Sequence, residues 1–505
     1  MKKNFLTAGA VIAVAILLTS AVSQAADVTL GGEFWTRYEV SERNDFRDNT
    51  DADTYIQSRV RLNANVNVND STSAFIQLHS NRTWGDTAEN AGAGTAPMGL
   101  SGTQSVNDAT RDVGLHQAYF TLKSFAGLPA DMKAGRQEII LDGHRLFGNT
   151  LWTMGAHSHD AIRLDHKHDN ISLTYGFIQG TEERATGSTQ VDDALDDGVK
   201  AGDPNDSEDQ TTQFLYANIA GILGGKLSTM YIYQADGCGS TTGPGGTCTG
   251  GANDIHTIGF RQAGQLFGLD YRGEYYYQFG DGQGIASVST RTNADNGGFA
   301  NDGSDVERQA YMFGIRVGKQ FKNVSMKPKL TVWYDYLSGT SDQDGADNKW
   351  KSFSTVYDTG HKFYGLQDVF LAVGENSAAK GTNGLGLQDA AVKAQISPAP
   401  GWTLKADYHW LMTAEGVAGS PMRSGIATVA SAGYVDGGTF DNELGQELDV
   451  TLVNKYNANT KIMLGYSHFS TGQALRTIRG YGNDDANWFY TQIHEIGRAS
   501  CRERV

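Results

Sequence analysis

The chain contains 505 residues, of which 19% are charged, and its formal net charge is −16. This acidic balance excludes nucleic-acid binding, because proteins of that class present a basic face. It leaves polycations, divalent ions, or the solutes of a channel shaped by its own electric field as partners. Only 8 residues are Pro, which suits hydrogen-bonded strands, since Pro cannot donate to a ladder.

The first predicted element is a secretory signal peptide at residues 1–25. Lys2 and Lys3 precede an apolar run from Phe5 to Leu18, and Ser23-Gln24-Ala25 provides a small-x-small cleavage site. Exported proteins carry a charged region, an apolar region and a cleavage site in this order. The apolar run is shorter than the roughly 20 residues of a helical membrane span, although a retained anchor is the alternative. We expect cleavage before Ala26 and export.

Beyond the signal, alternation of apolar and polar residues is the dominant pattern. In "YIQSRVRLNANVNVND" (55–70), Ile56, Val60 and Leu62 fall on one parity, whereas Arg59 and Arg61 fall on the other. A strand places alternate side chains on opposite faces, so this segment has one apolar and one polar face. The recurring pattern predicts about 18 strands, in chain order near 28–40, 54–69, 71–82, 112–123, 130–139, 159–167, 170–181, 211–221, 225–236, 254–264, 267–280, 306–321, 324–338, 384–397, 401–413, 443–456, 460–470 and 486–494.

The connections between these strands alternate in length. Short ones include 69–71, 166–169, 221–225, 321–323 and 397–401, and the clearest long ones are 83–111, 140–158, 182–210, 237–253, 281–305, 339–383 and 414–442. Short periplasmic turns and long extracellular loops are typical of outer-membrane barrels. We therefore predict an all-β fold, a transmembrane antiparallel β-barrel over residues 26–494. A secreted array of β-sandwiches is the alternative, because its strands alternate in the same way.

The two parities predict which residues face lipid and which face the lumen. The apolar parity, predicted to face lipid, includes Leu30, Phe34, Tyr38, Ile171, Leu173, Tyr175, Phe177, Tyr311, Phe313, Ile315, Val317, Trp402, Leu404, Tyr408 and Trp410. The opposite parity carries ten basic and seven acidic residues: Glu33, Arg37, Arg59, Arg61, Arg163, Asp165, Asp270, Arg272, Glu274, Arg308, Arg316, Asp335, Lys393, Lys405, Asp407, Asp449 and Lys461. A lumen that leans positive favours anionic solutes, although each Arg is as readily paired with a neighbouring carboxylate.

Two loops contain residues that could form a cross-link or bind a metal. Cys238 and Cys248 close a Gly-rich loop and are predicted to form a disulfide in an oxidising compartment. Asp342, Asp344 and Asp347 resemble an Asp-rich calcium loop, because hard cations take carboxylate oxygens. The loop lacks the distal Glu of an EF-hand, and the alternative is a solvated acidic loop bridged by divalent ions and lipopolysaccharide.

Four histidines cluster in sequence without predicting a joint metal site. They form two pairs at opposite ends of one predicted strand: His157 with His159, and His166 with His168. A strand that spans the membrane keeps its two ends apart, so we expect no shared metal.

Two stretches, Lys133 to Lys167 and Tyr336 to Asp368, resemble the alginate export family of outer-membrane porins. The first contains Gly135, Arg136 and Gln137, then Arg145, Leu146 and Gly148, then Trp152, and finally Asp160, Ala161 and Arg163. The second contains Phe353, Gly360-His361-Lys362-Phe363-Tyr364-Gly365 and Asp368. The resemblance implies an 18-strand barrel, passive export or uptake, and an Arg-lined constriction for an anionic uronate polymer, with Arg136 and Arg163 as its candidates. Regular alternation would place Arg136 toward lipid, so we expect a bulge at Gly135 to return it to the lumen.

The sequence therefore predicts a passive outer-membrane porin for anionic solutes, including uronate oligosaccharides, without resident cofactors apart from a loop calcium. A general or structural barrel without polyuronate specificity is the alternative. A hydrolase is a third reading, but no nucleophile elbow and no Ser-His-Asp set stands out. Expected partners are outer-membrane lipid, lipopolysaccharide and the barrel-assembly machinery, and the barrel is expected to be monomeric.

The last eleven residues, Glu495 to Val505, break the alternating pattern. Their codons can be written so that they match a common sequencing adapter, and we interpret the segment as a translation artefact and exclude it from the prediction of the fold. The last strand is then expected to stop early at His494, and this chain is expected to insert poorly into membranes.

Overall fold

The computed structural model of the protein describes residues 27–42, 52–84, 113–181, 210–236, 253–281, 306–371, 381–382, 384–416, 442–479 and 485–500. Strands dominate these ranges: β1 Asp27–Ser41, β2 Asp53–Asn69, β3 Thr72–Thr83, β4 Gly114–Leu122, β5 Asp131–Gln137, β6 His159–His168, β7 Ile171–Thr181, β8 Gln210–Ile222, β9 Gly225–Asp236, β10 Asn253–Leu266, β11 Leu269–Asp281, β12 Glu307–Gln320, β13 Lys329–Leu337, β14 Lys349–Trp350, β15 Leu387–Ile396, β16 Trp402–Met412, β17 Glu443–Lys455, β18 Thr460–Thr471 and β19 Ala486–Ser500.

The strands close into a ring. Each wall strand pairs antiparallel with the next one along the chain, and β19 returns to pair with β1 from Thr29↔Ser500 to Ser41↔Trp488. The two-residue β14 stands outside the ring, because β13 pairs directly with β15 while β14 runs parallel to β12. The result is a closed antiparallel barrel of 18 strands, which confirms the predicted fold class.

The wall has an apolar outer face and a polar inner face. Outward residues such as Phe34, Ile315 and Val332 are 45%, 55% and 56% exposed, whereas inward Glu39 and Asp335 are fully buried. This orientation follows from the strand period of two and from the need to place apolar side chains in lipid. The predicted division of the two parities between lipid and lumen is therefore reproduced in the wall.

Helical segments are short. They are α1 Asp342–Ala346, α2 Gln473–Arg479 and single 3-10 turns at Phe125–Gly127 and Gly360–Lys362. Within the described ranges, no helix has the length and apolar character needed to cross a membrane.

Two long connections fold into the lumen. Inner loop A (residues 138–158) joins β5 to β6, and inner loop B (residues 338–386, described except for 372–380 and 383) joins β13 to β15. Their apolar side chains form a core inside the barrel, in which Ile139, Phe147, Phe353, Phe363 and Phe370 are at most 1% exposed. The sequence placed both segments in long connections but did not predict that they turn inward.

Some boundaries differ from the prediction. The connection between β12 and β13 is longer than residues 321–323, because Phe321 to Pro328 form a turn closed by the Phe321 N–H bonded to the Pro328 carbonyl at 2.8 Å. The last strand continues to Ser500, six residues beyond the predicted end at His494, and Glu495 pairs with Phe34. The artefact interpretation of residues 495–505 stays a prediction. The signal peptide, Cys238 and Cys248 lie outside the described residues.

Candidate pore lining and inner loops

Three arginines on adjacent strands form the basic arc, defined as Arg261, Arg272 and Arg316 on β10, β11 and β12. Arg272 stands directly opposite Arg316 in the ladder between β11 and β12. Arg261 stands opposite Glu274, which is the next inward residue after Arg272 on β11. Their side chains are 12–14% exposed. Among the described residues, the Nε atoms of all three and Nη2 of Arg272 have no hydrogen-bond acceptor. These atoms are themselves buried, and Nε of Arg261 and Nη2 of Arg272 lie 3.8 and 3.6 Å from the Glu274 carboxylate. The basic arc is therefore a partly exposed cluster of positive charge on the inner wall.

The carboxylates beneath the basic arc are shared with an arginine of inner loop A. Arg145 donates from Nη2 to Glu274 at 3.1 Å and to Asp335, and from Nη1 to the hydroxyl of Tyr364 at 2.7 Å. Burial alone would lower the pKa of Arg145, but the charges of Asp335 and Glu274 raise it well above its ordinary value. Arg316 also binds Asp335, at 3.2 Å. Arg261 and Arg272 lie 3.8 and 3.6 Å from Glu274, and Arg261 lies 3.5 Å from Asp142. Four guanidiniums thus share three carboxylates, which leaves this region positive.

The predicted pore-lining arginines of β1 and β2 point inward, but they are buried under inner loop A. Each is at most 4% exposed and has its own carboxylate: Arg37 with Glu39 at 2.6 Å, Arg59 with Glu33 at 2.6 Å, and Arg61 with Glu138 at 3.5 Å. Arg61 also contacts the rings of His79 and His116, at 3.3 and 3.2 Å, whereas the remaining donors of Arg37 and Arg59 bind the loop backbone. Arg37 donates to the Trp152 carbonyl at 2.9 Å, and Arg59 donates to the carbonyls of Leu151 and Thr153 at 3.0 and 2.9 Å. These arginines hold the loop in place.

Glu138 begins inner loop A and is held as an anion. Burial alone would raise the pKa of Glu138, but hydrogen bonds with His116 at 2.9 Å and from Asn149 at 2.8 Å, together with the charge of Arg61, lower it. The ring of His144 lies farther along the loop, where burial and the charge of Lys362 lower its pKa to about 4. Loop A is therefore anchored by one carboxylate and carries a neutral imidazole at neutral pH.

The residues that carry the family resemblance meet inside the barrel. Trp152 of loop A stacks on His361 of loop B, with ring centroids 4.1 Å apart and an interplanar angle of 6°. The Nδ1 atom of His361 lies 2.8 Å from the Asp368 carboxylate. Beside them, the N–H of Gly148 donates to the Tyr357 carbonyl at 2.7 Å. The two sequence stretches are thus two halves of one structure that joins the inner loops.

Gly365 allows loop B to approach the wall. Its φ is +91°, and an added Cβ would lie 2.2 Å from Oε2 of the buried Glu447. Glu447 accepts the N–H of Gln367 at 2.7 Å, and Asp449 accepts the N–H of Leu366 at 3.3 Å. Only glycine combines this backbone conformation with so close an approach.

The other predicted lumen residues point inward at different depths. Arg308 is 1% exposed, and its one described hydrogen bond reaches the Ser352 carbonyl at 3.4 Å. Lys393 pairs with Asp407 at 3.0 Å, and Arg163 pairs with Asp165 at 2.8 Å. Lys405 is exposed near the short-turn end of β16.

Arg136 is not a lumen residue in the structure, and the expected bulge at Gly135 is absent from the two ladders that β5 forms. Both ladders run through Gly135 without a register shift. Arg136 is 37% exposed and donates two hydrogen bonds to Asp160, which is 54% exposed on the same outer face as Ile162. A register irregularity lies instead in β4, opposite Gln77 and Leu78. An ion pair with Asp160 offsets the cost of an outward arginine.

The sequence reading missed several inward charges. Glu39, Asp389 and Glu447 are fully buried acids of the inner face, and Arg261 completes the basic arc. Asp389 accepts a hydrogen bond at 2.8 Å from His409. Each missed acid shares the parity of a charge that was recognised, so extending the alternation to the strand ends would have found them. They offset much of the predicted basic excess of the lumen as a whole.

The loop proposed for calcium uses one carboxylate as a helix cap. Asp344 accepts the N–H of Ser341 at 3.1 Å and pairs with Lys351 at 2.6 Å. No group of three His, Cys, Asp or Glu side chains in the described part of the chain is arranged to hold a metal ion. The calcium hypothesis stays a prediction.

Comparisons with known proteins agree with this architecture. The profile of a family described as alginate export matches residues 26–489. Similar solved structures include OccAB1 of Acinetobacter baumannii, with 11% identity over 93% of this chain and 96% of that one and a TM-score of 0.50. OccK5 (OpdH) of Pseudomonas aeruginosa is 10% identical over 94% and 98%, with a TM-score of 0.50. At these identities the structures support the fold alone. No curated protein matches the chain.

Proposed function

The chain belongs to the alginate export family of outer-membrane porins, and from this premise we propose that it admits anionic solutes selectively, with uronate oligosaccharides as the substrate class. Its place in the bacterial outer membrane and its channel function follow from the family and the 18-strand barrel. The preference for anions is our proposal, and it requires a positive region along the solute path.

The basic arc is the observation that carries this proposal. Its guanidiniums are partly exposed, with side-chain exposures of 12–14%, and planar guanidinium groups bind carboxylates in two-pronged geometry. Lys362 of loop B lies close by, where burial and the positive charge of Arg272 lower its pKa. A carboxylate in the lumen would therefore meet a local excess of positive charge. Because the arc belongs to the rigid wall, its selectivity requires no energy input.

The proposal predicts that neutralising the basic arc reduces anion preference. We expect the double variant R272Q/R316Q to move the reversal potential across a salt gradient toward that of a cation-selective channel, because the local excess of positive charge would then be lost. The measurement is a single-channel recording in a planar bilayer. The matched control is R136Q/D160N, which removes charges from the outer face and is expected to leave the reversal potential unchanged. Equal reversal potentials in the wild type and R272Q/R316Q would reject the proposal.

A general porin without polyuronate specificity is the second candidate, and the filled lumen favours it. Inner loops A and B occupy part of the barrel with a buried apolar core, which restricts the width left for a polymer. In this case small organic anions would permeate, and uronate oligomers would neither permeate nor block the current. Adding oligomers to the same recording distinguishes the two functions.

A further inference from the structure

A second group of lumen side chains lies away from the basic arc and the inner loops. We define the vestibule patch as Phe75, Tyr119, Lys133 and Arg163, on the inner faces of β3, β4, β5 and β6. Phe75 stands opposite Tyr119, and Lys133 stands opposite Arg163, in two ladders that are separated by the ladder of β4 with β5. All four side chains are half-buried. The patch therefore presents both aromatic and cationic groups toward the lumen.

The vestibule patch lies toward the periplasm. Its residues are near the ends of β3 to β6 that are joined by short connections, whereas inner loop A leaves from the opposite ends of β5 and β6. In outer-membrane barrels the short turns are periplasmic. A solute that enters from the periplasm would thus reach the patch before it reached the inner loops.

The geometry of the patch combines a ring surface with available positive charge. The rings of Phe75 and Tyr119 are 5.4 Å apart and tilted by 39°, and Nζ of Lys133 lies 4.4 Å from the centre of the Tyr119 ring. Arg163 binds Asp165 through Nε alone, at 2.8 Å. Among the described residues, no carboxylate forms an ion pair with Lys133, and the inward acids Asp131 and Asp165 stand opposite each other at the next inward position of the same ladder. Lys133 therefore keeps its ammonium available to a ligand.

Gly135 leaves the inner wall beside Tyr119 without a side chain. It stands opposite Tyr119 in the ladder between β4 and β5. Its φ is +121°, and an added Cβ would lie 2.3 Å from the Ala118 carbonyl oxygen. A side chain is therefore excluded at this position, and the neighbouring tyrosine is not covered from that side.

We propose that the vestibule patch is a binding subsite for a sugar acid captured from the periplasm. The C–H face of a pyranose ring packs against an aromatic ring, while its carboxylate binds cationic N–H donors. Phe75 and Tyr119 supply the first surface, and Lys133 and Arg163 supply the donors. The inference rests on the proposed function and adds a location and a direction to it, because a periplasmic capture site serves outward passage.

The test is the block of single-channel current by uronate hexamers added from the periplasmic side, using the full chain in planar bilayers. We expect Y119L and K133Q each to raise the hexamer concentration for half-block by about tenfold, since one lost charge-assisted or aromatic contact is worth roughly one factor of ten. The same variants should have a smaller effect on the half-block concentration of hexamers that are added from the extracellular side. A neutral hexasaccharide should block the wild type more weakly than the uronate.

Matched controls separate the patch from general effects. Y175L removes an outward tyrosine, and K405Q removes an inward lysine at a similar depth on β16; both should stay within about twofold of the wild type. The subsite would be overturned if Y119L raised the hexamer concentration for half-block no more than Y175L does, or if K133Q raised it no more than K405Q does. The reversal potential of R272Q/R316Q is a separate readout, so failure of the subsite and failure of anion selectivity are distinguishable.

Discussion

Gly365 is the clearest case of one residue that fixes a loop against the wall. Its positive φ places the backbone in a region that L side chains rarely adopt, and the buried Glu447 occupies the space for a Cβ. Glu447 cannot easily move, because it also binds the N–H of Gln367. The residue is therefore selected by conformation and by contact together.

We expect G365A to destabilise the packed state of inner loop B by about 1–3 kcal/mol, the usual cost of a strained non-glycine backbone. Limited proteolysis of the protein in detergent would detect this as faster cleavage within loop B. The control is G273A, since no atom lies within 4 Å of an added Cβ at Gly273. Equal cleavage rates for the two variants would contradict the role assigned to Gly365.

Single residues also mark the limit of the sequence interpretation. The inward positions of Arg59, Glu274 and Asp335 follow from parity alone, and parity also placed Arg136 outward before a bulge was invoked. The partner on the outer face, Asp160, could have been found by the same rule, because it shares the parity of Ile162. The expectation of a bulge rests on the cost of placing an arginine in lipid, and an ion pair with Asp160 offsets much of that cost.

At the level of elements, inner loop A is held by an arginine that belongs to no strand. Arg145 is 2% exposed and connects the loop to β11, to β13 and to inner loop B through Glu274, Asp335 and Tyr364. Its guanidinium also lies 3.7 Å from the centre of the Phe363 ring. One side chain thus joins two loops and two wall strands.

We predict that R145M destabilises the protein by on the order of 3 kcal/mol, because removing one partner of a buried ion pair leaves uncompensated charge. Urea unfolding in detergent micelles measures this change, and the current through the channel should become noisier as loop A moves. R163M is the control, since the partly exposed pair of Arg163 and Asp165 should contribute less than about 1 kcal/mol. A stability loss of equal size in R163M would argue against a special role for Arg145.

Whole-molecule electrostatics sets how the selectivity should depend on salt. The chain is acidic, the described lumen is nearly balanced, and the positive excess is local to the basic arc. Local fields at partly exposed charges are screened over about 10 Å at 0.1 M salt and about 3 Å at 1 M. Selectivity from the arc should therefore be sensitive to ionic strength.

We expect the anion preference of the channel to fall markedly between about 0.1 and 1 M potassium chloride, following this screening length. Reversal potentials measured at a fixed concentration ratio and increasing total salt provide the test. A preference that stays constant over this range would assign selectivity to pore width or to fully buried contacts, and the proposal based on the basic arc would be lost.

At the scale of the whole molecule, the sequence predicts the barrel wall but not the path of inner loops A and B inside it. Alternation predicts strands, faces and closure, because the wall strands follow the same period of two apart from a few register shifts. It carries no information about where an irregular connection goes, so loops A and B could only be placed at one end of the barrel. Their inward path depends on contacts between distant residues, such as Trp152 with His361, which no local pattern encodes.

The direct pairing of β13 with β15 means that inner loop B leaves and re-enters the wall between two neighbouring strands. The ladder would keep its register if loop B were exchanged for another segment, so in evolutionary terms the loop is an insert in a constant frame. Loop B does not stand alone, however, since Phe147 and Tyr357 bind it to loop A. Recombination that replaced only one loop would leave the apolar surface of the other loop without its packing partner. The two loops are therefore expected to be inherited as a pair, and grafts between relatives should transfer both.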